Sequence, residues 1–456
     1  GGIMDSETPW LKYFCTVMEV AEPTSMHESI NDEVVSSDVS DNIEKPLVDN
    51  STTIVKSEIM TIICDQSSTL DQIKEVVEAD PNAVHAQQDN GSDEGYSALH
   101  YAAWDSKADI VKYLIDNADM EAVFYHKQFG AKLNNIKNDL PLLKNFICID
   151  DGSESDNALE VSHDFENLIS NESEARLVVE RSGDDKYILY TGGTTGMPKG
   201  VVWRMEDVLM TLGGGIDAVT GEKYPTPEAF ADKCLQDQTT ALALAPLMHG
   251  AAQWQSFNAF FSGWKFIIND QISFDADYIW EVIAKEKVMN LTITGDAMGR
   301  PLCDALPFAL EKGLDLSSLF VLASTASVFS ASIKDTILEY LPNLFLIDAV
   351  GSSETGATGV NIHTKDGKLK DSGGGPKFTK PSFSEILNLE TLKVIQPSDT
   401  ETIGYLARKG HVPVAYYKDK EKSEKTFIEG NGERYSIPGD MAKYEEDGQM
   451  TLLGRG

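Results

Sequence analysis

No stretch of this sequence approaches the ~20 consecutive apolar residues that a membrane-spanning helix needs. The richest run, Ala241 to Trp254, is interrupted by Pro246, His249 and Gly250. An integral membrane segment is therefore not expected. The first residues also lack a basic stretch followed by an apolar one, so no secretory signal is expected. Basic side chains are scarce: 38 Lys and Arg stand against 73 Asp and Glu, a formal charge of −35. That balance provides neither a cationic stripe for nucleic acid nor a polybasic patch for a membrane surface. It also gives an anionic ligand little long-range steering, because surface charge is screened beyond ~8 Å at physiological salt. Any such ligand must be held by local donors. The five cysteines are far apart and form no Cys-x-x-Cys pair, and no His-Glu-x-x-His helix is present. A disulfide framework and a zinc site are therefore not expected, and the pattern fits a reduced, cytoplasmic protein.

What is present divides into three stretches, in a chain of 456 residues that can hold two or three domains. Residues 1–60 are acidic, mix Ser, Thr, Val and Asp without periodicity, and are expected to be disordered. Residues 61–116 change character. Leu70, Ile73, Val76 and Val77 have helical spacing, and Asp80-Pro81 ends that run. From 117 onward, short β-branched and aromatic runs alternate with amphipathic stretches, the pattern of an α/β protein. Strands are expected at Ala122–Tyr125, Phe146–Ile149, Tyr187–Tyr190, Ala241–Ala245, Leu291–Thr294, Leu319–Ala323 and Leu344–Ala349. Helices are expected at Tyr278–Glu286 and Ser332–Tyr340. Residues 151–175, acidic and rich in Ser and Asn, are expected to be a surface insertion.

The strongest motif is Tyr190-Thr-Gly-Gly-Thr-Thr-Gly-Met-Pro-Lys-Gly200. A Gly/Thr-rich loop turns several backbone N–H groups and hydroxyls toward phosphate oxygens. It is not the P-loop of nucleotide-hydrolysing enzymes, which needs Gly-Lys followed by Ser or Thr. Here Lys199 sits between Pro198 and Gly200, and the apolar residues on either side predict a loop between two strands. A functionless hairpin is the alternative, but it does not require two Thr-Gly pairs followed by Pro-Lys-Gly.

This loop resembles the signature loop of the adenylate-forming superfamily, which includes acyl-CoA synthetases, firefly-type luciferases and peptide synthetase adenylation domains. The resemblance implies that Thr191, Gly192, Gly193, Thr194, Thr195, Gly196 and Lys199 hold ATP phosphates while the α-phosphorus is attacked. Further motifs follow in the order that the superfamily shows. In Ala245-Pro-Leu-Met-His-Gly250 the resemblance places His249 beside the acyl pocket, although a lone His there is equally a loop residue. Ser324-Thr-Ala-Ser327 stands where relatives carry a glycine-containing turn behind the adenine, and those glycines are absent. Within Asp348-Ala-Val-Gly-Ser-Ser-Glu-Thr-Gly356, Glu354 is implied as the Mg²⁺ ligand and Thr355 as a partner of the α-phosphate. Gly351, Ser352 and Ser353 are implied to line the adenine pocket. Asp440 is implied to take the ribose hydroxyls, and Arg455 to stand at the hinge. Gln253, Trp254, Phe257 and Trp264 read either as an apolar acyl pocket or as plain core. Met205 and Tyr405 depart from the family's usual His and Glu.

A second resemblance lies upstream. Ser97-Ala-Leu-His-Tyr-Ala102 is similar to the turn motif of the ankyrin repeat, with a helix expected at Ala108–Ile115. It covers about one and a half repeats, whereas about three are needed to bury a repeat's apolar face, so no protein partner is implied. The expected architecture is an α/β, layered large domain of the adenylate-forming fold over 117–456, preceded by the partial ankyrin-like segment. The resemblance further implies that the family's first elements and its C-terminal domain lie outside the chain, which would impair activity. The implied reaction is ATP- and Mg²⁺-dependent activation of a fatty or steroid-type carboxylic acid to acyl-AMP, followed by thioester formation with CoA. The alternative is an ankyrin-type adaptor carrying a non-catalytic domain of this fold.

Overall fold

The computed structural model describes residues 108–153, 158–170, 178–191, 198–216, 222–236, 238–247, 249–269, 271, 273–367, 377–430 and 432–455. The acidic segment 1–60, the ankyrin-like motif 97–102 and the glycine-rich residues 192–196 lie outside them.

Helix α1 (Ala108–Asn117) is amphipathic and buries Ile115 against Tyr125, Leu133, Ile136 and Phe146. It thus shares a core with the residues that follow it. Strand β1 (Ala122–His126), helix α2 (Gly130–Ile136) and strand β2 (Asn145–Ile149) form a crossover unit, with β1 and β2 parallel and Val123 opposite Phe146. A short β3 (His163–Asp164) continues this sheet parallel to β2, and α3 (Phe165–Ser170) follows. The described part of 151–175 is therefore more than a surface insertion. Leu159 is buried in the core, and its N–H donates to the Tyr125 hydroxyl at 3.1 Å. One apolar anchor among many Ser and Asn residues leaves almost no trace in composition.

Strands β4 (Lys186–Thr191) and β5 (Lys199–Arg204) form the expected antiparallel hairpin, followed by α4 (Met205–Leu212) and α5 (Pro227–Gln236). Next comes a six-stranded sheet built from β6 (Thr240–Ala243), β7 (Lys265–Ile267), β8 (Asn290–Ile293), β9 (Val321–Ser324), β10 (Phe345–Ser352) and β11 (Gly356–His363). Helices α6 (Gly250–Phe261), α7 (Ala276–Glu286), α8 (Gly295–Glu311) and α9 (Ala331–Tyr340) connect its strands. The order is β11-β10-β9-β8-β6-β7, and only β10 and β11 pair antiparallel. Strands covered on both faces need apolar residues at nearly every position, which is why their runs stand out in the sequence. Leu242, Leu291, Ile293, Leu322 and Leu346 pack against Ile279, Trp280, Leu302, Leu306 and Ile337 in the main core. The Trp280 indole stays satisfied there by donating to the Leu302 carbonyl at 3.0 Å.

The connectivity creates a reversal. From β6 the chain moves out to β7, then returns to place β8 on the other side of β6. Ligands of open α/β sheets bind beyond the carboxyl ends of strands at such a point. The expected motifs 245–250, 324–327 and 351–355 all lie at those ends.

The remaining strands are β12 (Lys377–Phe378), β13 (Ser384–Asn388), β14 (Gly404–Lys409), β15 (Ala415–Tyr416), β16 (Phe427–Gly430), β17 (Glu433–Ser436), β18 (Asp440–Tyr444) and β19 (Met450–Arg455), with α10 (Lys420–Thr426) between β15 and β16. They form an antiparallel sheet, except that β15 leaves it to pair with β5, Tyr416 opposite Val201. Among the described residues no helix is long and apolar enough to cross a membrane.

A buried ionic junction ties α4 to this last sheet. Asp207 is fully buried and accepts hydrogen bonds from His411 Nδ1 at 2.7 Å and from Arg434 at 2.5 Å. Burial alone would raise its pKa, but these two partners outweigh it and hold the carboxyl below its ordinary 3.8. Removing one member of a buried pair leaves the others unpaired, so Asp207→Asn should cost about 3–5 kcal/mol of stability. Because the folded pKa is depressed, the carboxylate's contribution is complete above the ordinary value and lost as pH falls through the depressed one. Thermal melts should therefore show a large, constant gap between wild type and Asp207→Asn near neutral pH. The gap should narrow once the pH drops below about 3.8.

Candidate active site

The β4–β5 hairpin closes at Thr191 and Lys199, which are cross-strand partners. Helix α1 props both limbs: the Tyr190 hydroxyl donates to Asn117 at 2.6 Å, and the Tyr113 hydroxyl donates to the Pro198 carbonyl at 3.3 Å. Burial pushes the Tyr190 phenol up to about 12, so it remains a donor across the neutral range.

Lys199 then meets residues more than two hundred positions away. Its Nζ lies 3.0 Å from Asp419 Oδ2 and 5.7 Å from the centre of the Tyr416 ring. The Tyr416 hydroxyl in turn donates to Glu354 Oε1 at 2.9 Å. One aromatic side chain therefore has Lys199 over its face and Glu354 at its tip. Partial burial pushes the Asp419 carboxyl up, but the hydrogen bond from Lys199 outweighs it and holds the group below the usual carboxylate range.

The 351–355 segment is a tight hairpin turn at the end of β10. The Ser352 N–H donates to Thr355 Oγ1 at 3.0 Å, and that hydroxyl donates to the Gly356 carbonyl at 2.7 Å. Thr355 is 1% exposed, so its hydroxyl serves the turn in this conformation. The Ser353 carbonyl accepts from the Trp203 indole at 3.1 Å, and the Glu354 carbonyl accepts from Ser436 Oγ at 2.6 Å. Only glycine fits at 351, where a Cβ would lie 2.3 Å from the Gly356 carbonyl oxygen. The Glu354 carboxylate is thus presented by a turn fastened on both flanks.

His249 is the N-cap of α6, and its Nδ1 accepts from the Ala251 N–H at 3.1 Å. The adjacent Gly250 packs close to Leu189 of β4, which puts this helix start beside the hairpin. Behind the sheet ends, Ser324 accepts from the Gly295 N–H at 3.0 Å, and Ala326 adopts a left-handed φ of 65°. A non-glycine residue thus holds a backbone conformation that favours glycine. Asp440 and Arg455 are cross-strand partners at the start of β18 and the end of β19. Gly439, next to Asp440, lines a cleft of about 590 Å³ together with Lys199, Tyr405, Asp419, Lys422 and Lys425. Tyr405, one of the two departures from the family pattern, therefore forms part of the wall.

Trp254 packs edge-on against Trp203 with centroids 6.2 Å apart, and Phe257 against Tyr187 at 5.5 Å. These two aromatics belong to the core. A separate apolar groove of about 870 Å³ runs between α1, α2 and the β6–β7 edge. Two functional candidates escaped the sequence reading, Tyr416 and Asp419. Nothing in sequence order joins Tyr416 to Glu354 or Asp419 to Lys199. Among the described residues no group of three His, Cys, Asp or Glu side chains is assembled for a metal ion. Glu354 stands as a single carboxylate oxygen donor, the arrangement that suits Mg²⁺ carried chiefly by phosphates and water.

The sequence pattern described as "AMP-binding enzyme" matches residues 98–412. A 3-oxocholest-4-en-26-oate–CoA ligase of Rhodococcus rhodochrous is 41% identical over 350 residues, covering 76% of this chain and 62% of that protein. A medium/long-chain-fatty-acid–CoA/3-oxocholest-4-en-26-oate–CoA ligase of Mycobacterium marinum is 43% identical over 354 residues, with the same coverage. The chain thus spans about 62% of the length of these relatives. Similar solved structures include an anthranilate CoA ligase with bound anthranoyl-AMP (TM-score 0.59, 19% identity, 76% of this chain and 61% of that one). Another is the inhibitor-bound N-terminal domain of FACL13 from Mycobacterium tuberculosis (TM-score 0.58, 18% identity, 76% and 78%). These two likenesses are of fold.

The turn geometry makes two opposite predictions for unfolding free energy. Ala326 is exposed and holds a left-handed φ, so Ala326→Gly should stabilise the protein by about 1 kcal/mol. Gly351→Ala drives a Cβ into backbone and should destabilise it by at least about 2 kcal/mol.

Proposed function

The chain belongs to the AMP-binding enzyme family, and from that premise we propose that it activates a carboxylic acid with ATP and passes the acyl group to CoA. A carboxylate oxygen attacks the α-phosphorus of ATP, the bond to the bridging oxygen breaks, and pyrophosphate leaves with that electron pair. The CoA thiol, giving up its proton, then attacks the acyl carbon of the acyl-AMP, and AMP leaves with the electron pair of the broken carbon–oxygen bond. The observation that carries this reading is the junction at Tyr416, which links the phosphate-loop hairpin through Lys199 to the turn that bears Glu354.

In this reading Thr191, the glycine-rich residues 192–196 and Lys199 supply donors to the β- and γ-phosphates. Two anions must meet for the first bond to form, so neutralising charge at the phosphates lowers the barrier directly. Mg²⁺, when bound, would withdraw charge from the phosphate oxygens, and Glu354 is the carboxylate placed to hold it. Gly351, Ser352 and Ser353 border the base, and Asp440 accepts both ribose hydroxyls, as a carboxylate can. Arg455, at the end of β19, stands at the hinge. His249 lies at the acyl side, where its capped Nδ1 fixes the ring and leaves Nε2 carrying the proton. Thr355 reaches the α-phosphate only by giving up its bond to the Gly356 carbonyl. The acid is of fatty or steroid type, a choice that rests on the relatives at 41% and 43% identity.

The test is a thermal melt with and without Mg²⁺ and a non-hydrolysable acyl-adenylate mimic carrying either a fatty or a steroid acyl group. Ligand at about 100 times its dissociation constant should add roughly 2.7 kcal/mol to the folded state. The shift should shrink in Glu354→Gln and in Asp440→Asn. A cooperative melt with no shift for either mimic would overturn the assignment.

A further inference from the structure

The contact between Lys199 and Asp419 lies at the mouth of the hairpin, and its geometry is asymmetric. Asp419 is held in place: Oδ1 accepts from the Lys422 N–H at 3.1 Å and so caps α10, while its own N–H donates to the Tyr416 carbonyl at 3.3 Å. Only Oδ2 faces Lys199, at 3.0 Å. Lys199, by contrast, is a flexible side chain at the start of β5, beside the cleft that also contains Lys422 and Lys425. The pair is partly open to solvent, with side-chain exposures of 27% and 34%. Ion pairs at that exposure contribute little and exchange partners readily.

Resting on the assignment of Lys199 to ATP phosphates, we propose that Asp419 is a positioning residue, a fixed counter-ion that Lys199 exchanges for polyphosphate and to which it returns when pyrophosphate departs. The carboxylate holds the ammonium at the hairpin mouth in the empty protein and so avoids an unpaired charge there. It stays at the cleft wall when phosphate arrives, because the helix cap keeps it from following. From there it competes with pyrophosphate for the Lys199 ammonium, which weakens product binding and favours release. In Lys425 the same compensation is local, through Glu421 on its own helix at 2.7 Å. Lys199 draws its partner from a different segment of the chain.

The test is calorimetric titration of the whole chain with magnesium pyrophosphate and with magnesium ATP. Asp419→Asn keeps an N-capping side chain and removes the charge; Asp419→Ser serves as a second capping variant should Asn fail to fold. Both should bind pyrophosphate roughly fivefold more tightly than wild type, the upper end of what a partly exposed ion pair contributes, because Lys199 no longer has a competing partner. In a Lys199→Met background the same substitution should change affinity by less than about twofold. Equal or weaker binding by the Asp419 variants overturns the proposal, as does a gain that persists without Lys199. Wild type that binds neither ligand overturns the phosphate assignment of Lys199 itself, which is a different failure.

Discussion

Strand β15 is only two residues long, yet the site depends on where it goes. By leaving the last antiparallel sheet and adding to the edge of β5, it brings Tyr416 beside the hairpin that carries Thr191 and Lys199. The ring lies beneath the Lys199 ammonium, and the hydroxyl at its far end reaches Glu354. Three segments separated by more than sixty residues each are thereby held around one aromatic side chain. Other contacts act in the same direction: Trp203 of β5 and Ser436 of β17 both bond the backbone of the 352–355 turn. A phosphate ligand entering this space meets side chains already in register, and it need not order them at its own cost.

The large sheet supplies the other half of the arrangement. Its order places β6 between β7 and β8, so the chain reverses direction across the sheet at β6, and the turns after β6, β9 and β10 gather along one rim. Those turns are under local constraint. Gly351 has no room for a Cβ, and Ala326 occupies a left-handed conformation that favours glycine. Backbone strain of that kind persists only where the surrounding structure over-determines it. The buried Asp207 junction adds a second tie between the hairpin's following helix and the last sheet, independent of β15.

Much of this was legible in the residues. Strands buried on both faces produce apolar runs, and every strand expected between 122 and 349 is present within a few residues. The glycine-rich hairpin was readable because its composition exceeds what a turn requires. The burial of Leu159 and the third strand at 163–164 were not, since a two-residue strand and one apolar anchor fall below any periodicity. Tyr416 and Asp419 belong to the same category. Each has its value through a partner in another segment, Glu354 or Lys199, and sequence order says nothing about that meeting. The helix at 108–117 is instructive in a different way. Its amphipathic pattern was read with the ankyrin-like segment, whereas its packing with Tyr125 and Phe146 shows that it shares a core with the strands that follow.

The central claim is that nucleotide phosphates sit between the mouth of the β4–β5 hairpin and the 351–355 turn. A crystal structure with a bound acyl-adenylate mimic tests it most directly. The account predicts the adenylate phosphate within hydrogen-bonding reach of the hairpin and the turn, with the ribose on Asp440 and, pyrophosphate being absent, Lys199 paired with Asp419. A mimic seated elsewhere, for instance in the apolar groove between α1 and the β6–β7 edge, with Glu354 and Asp440 untouched, would contradict it.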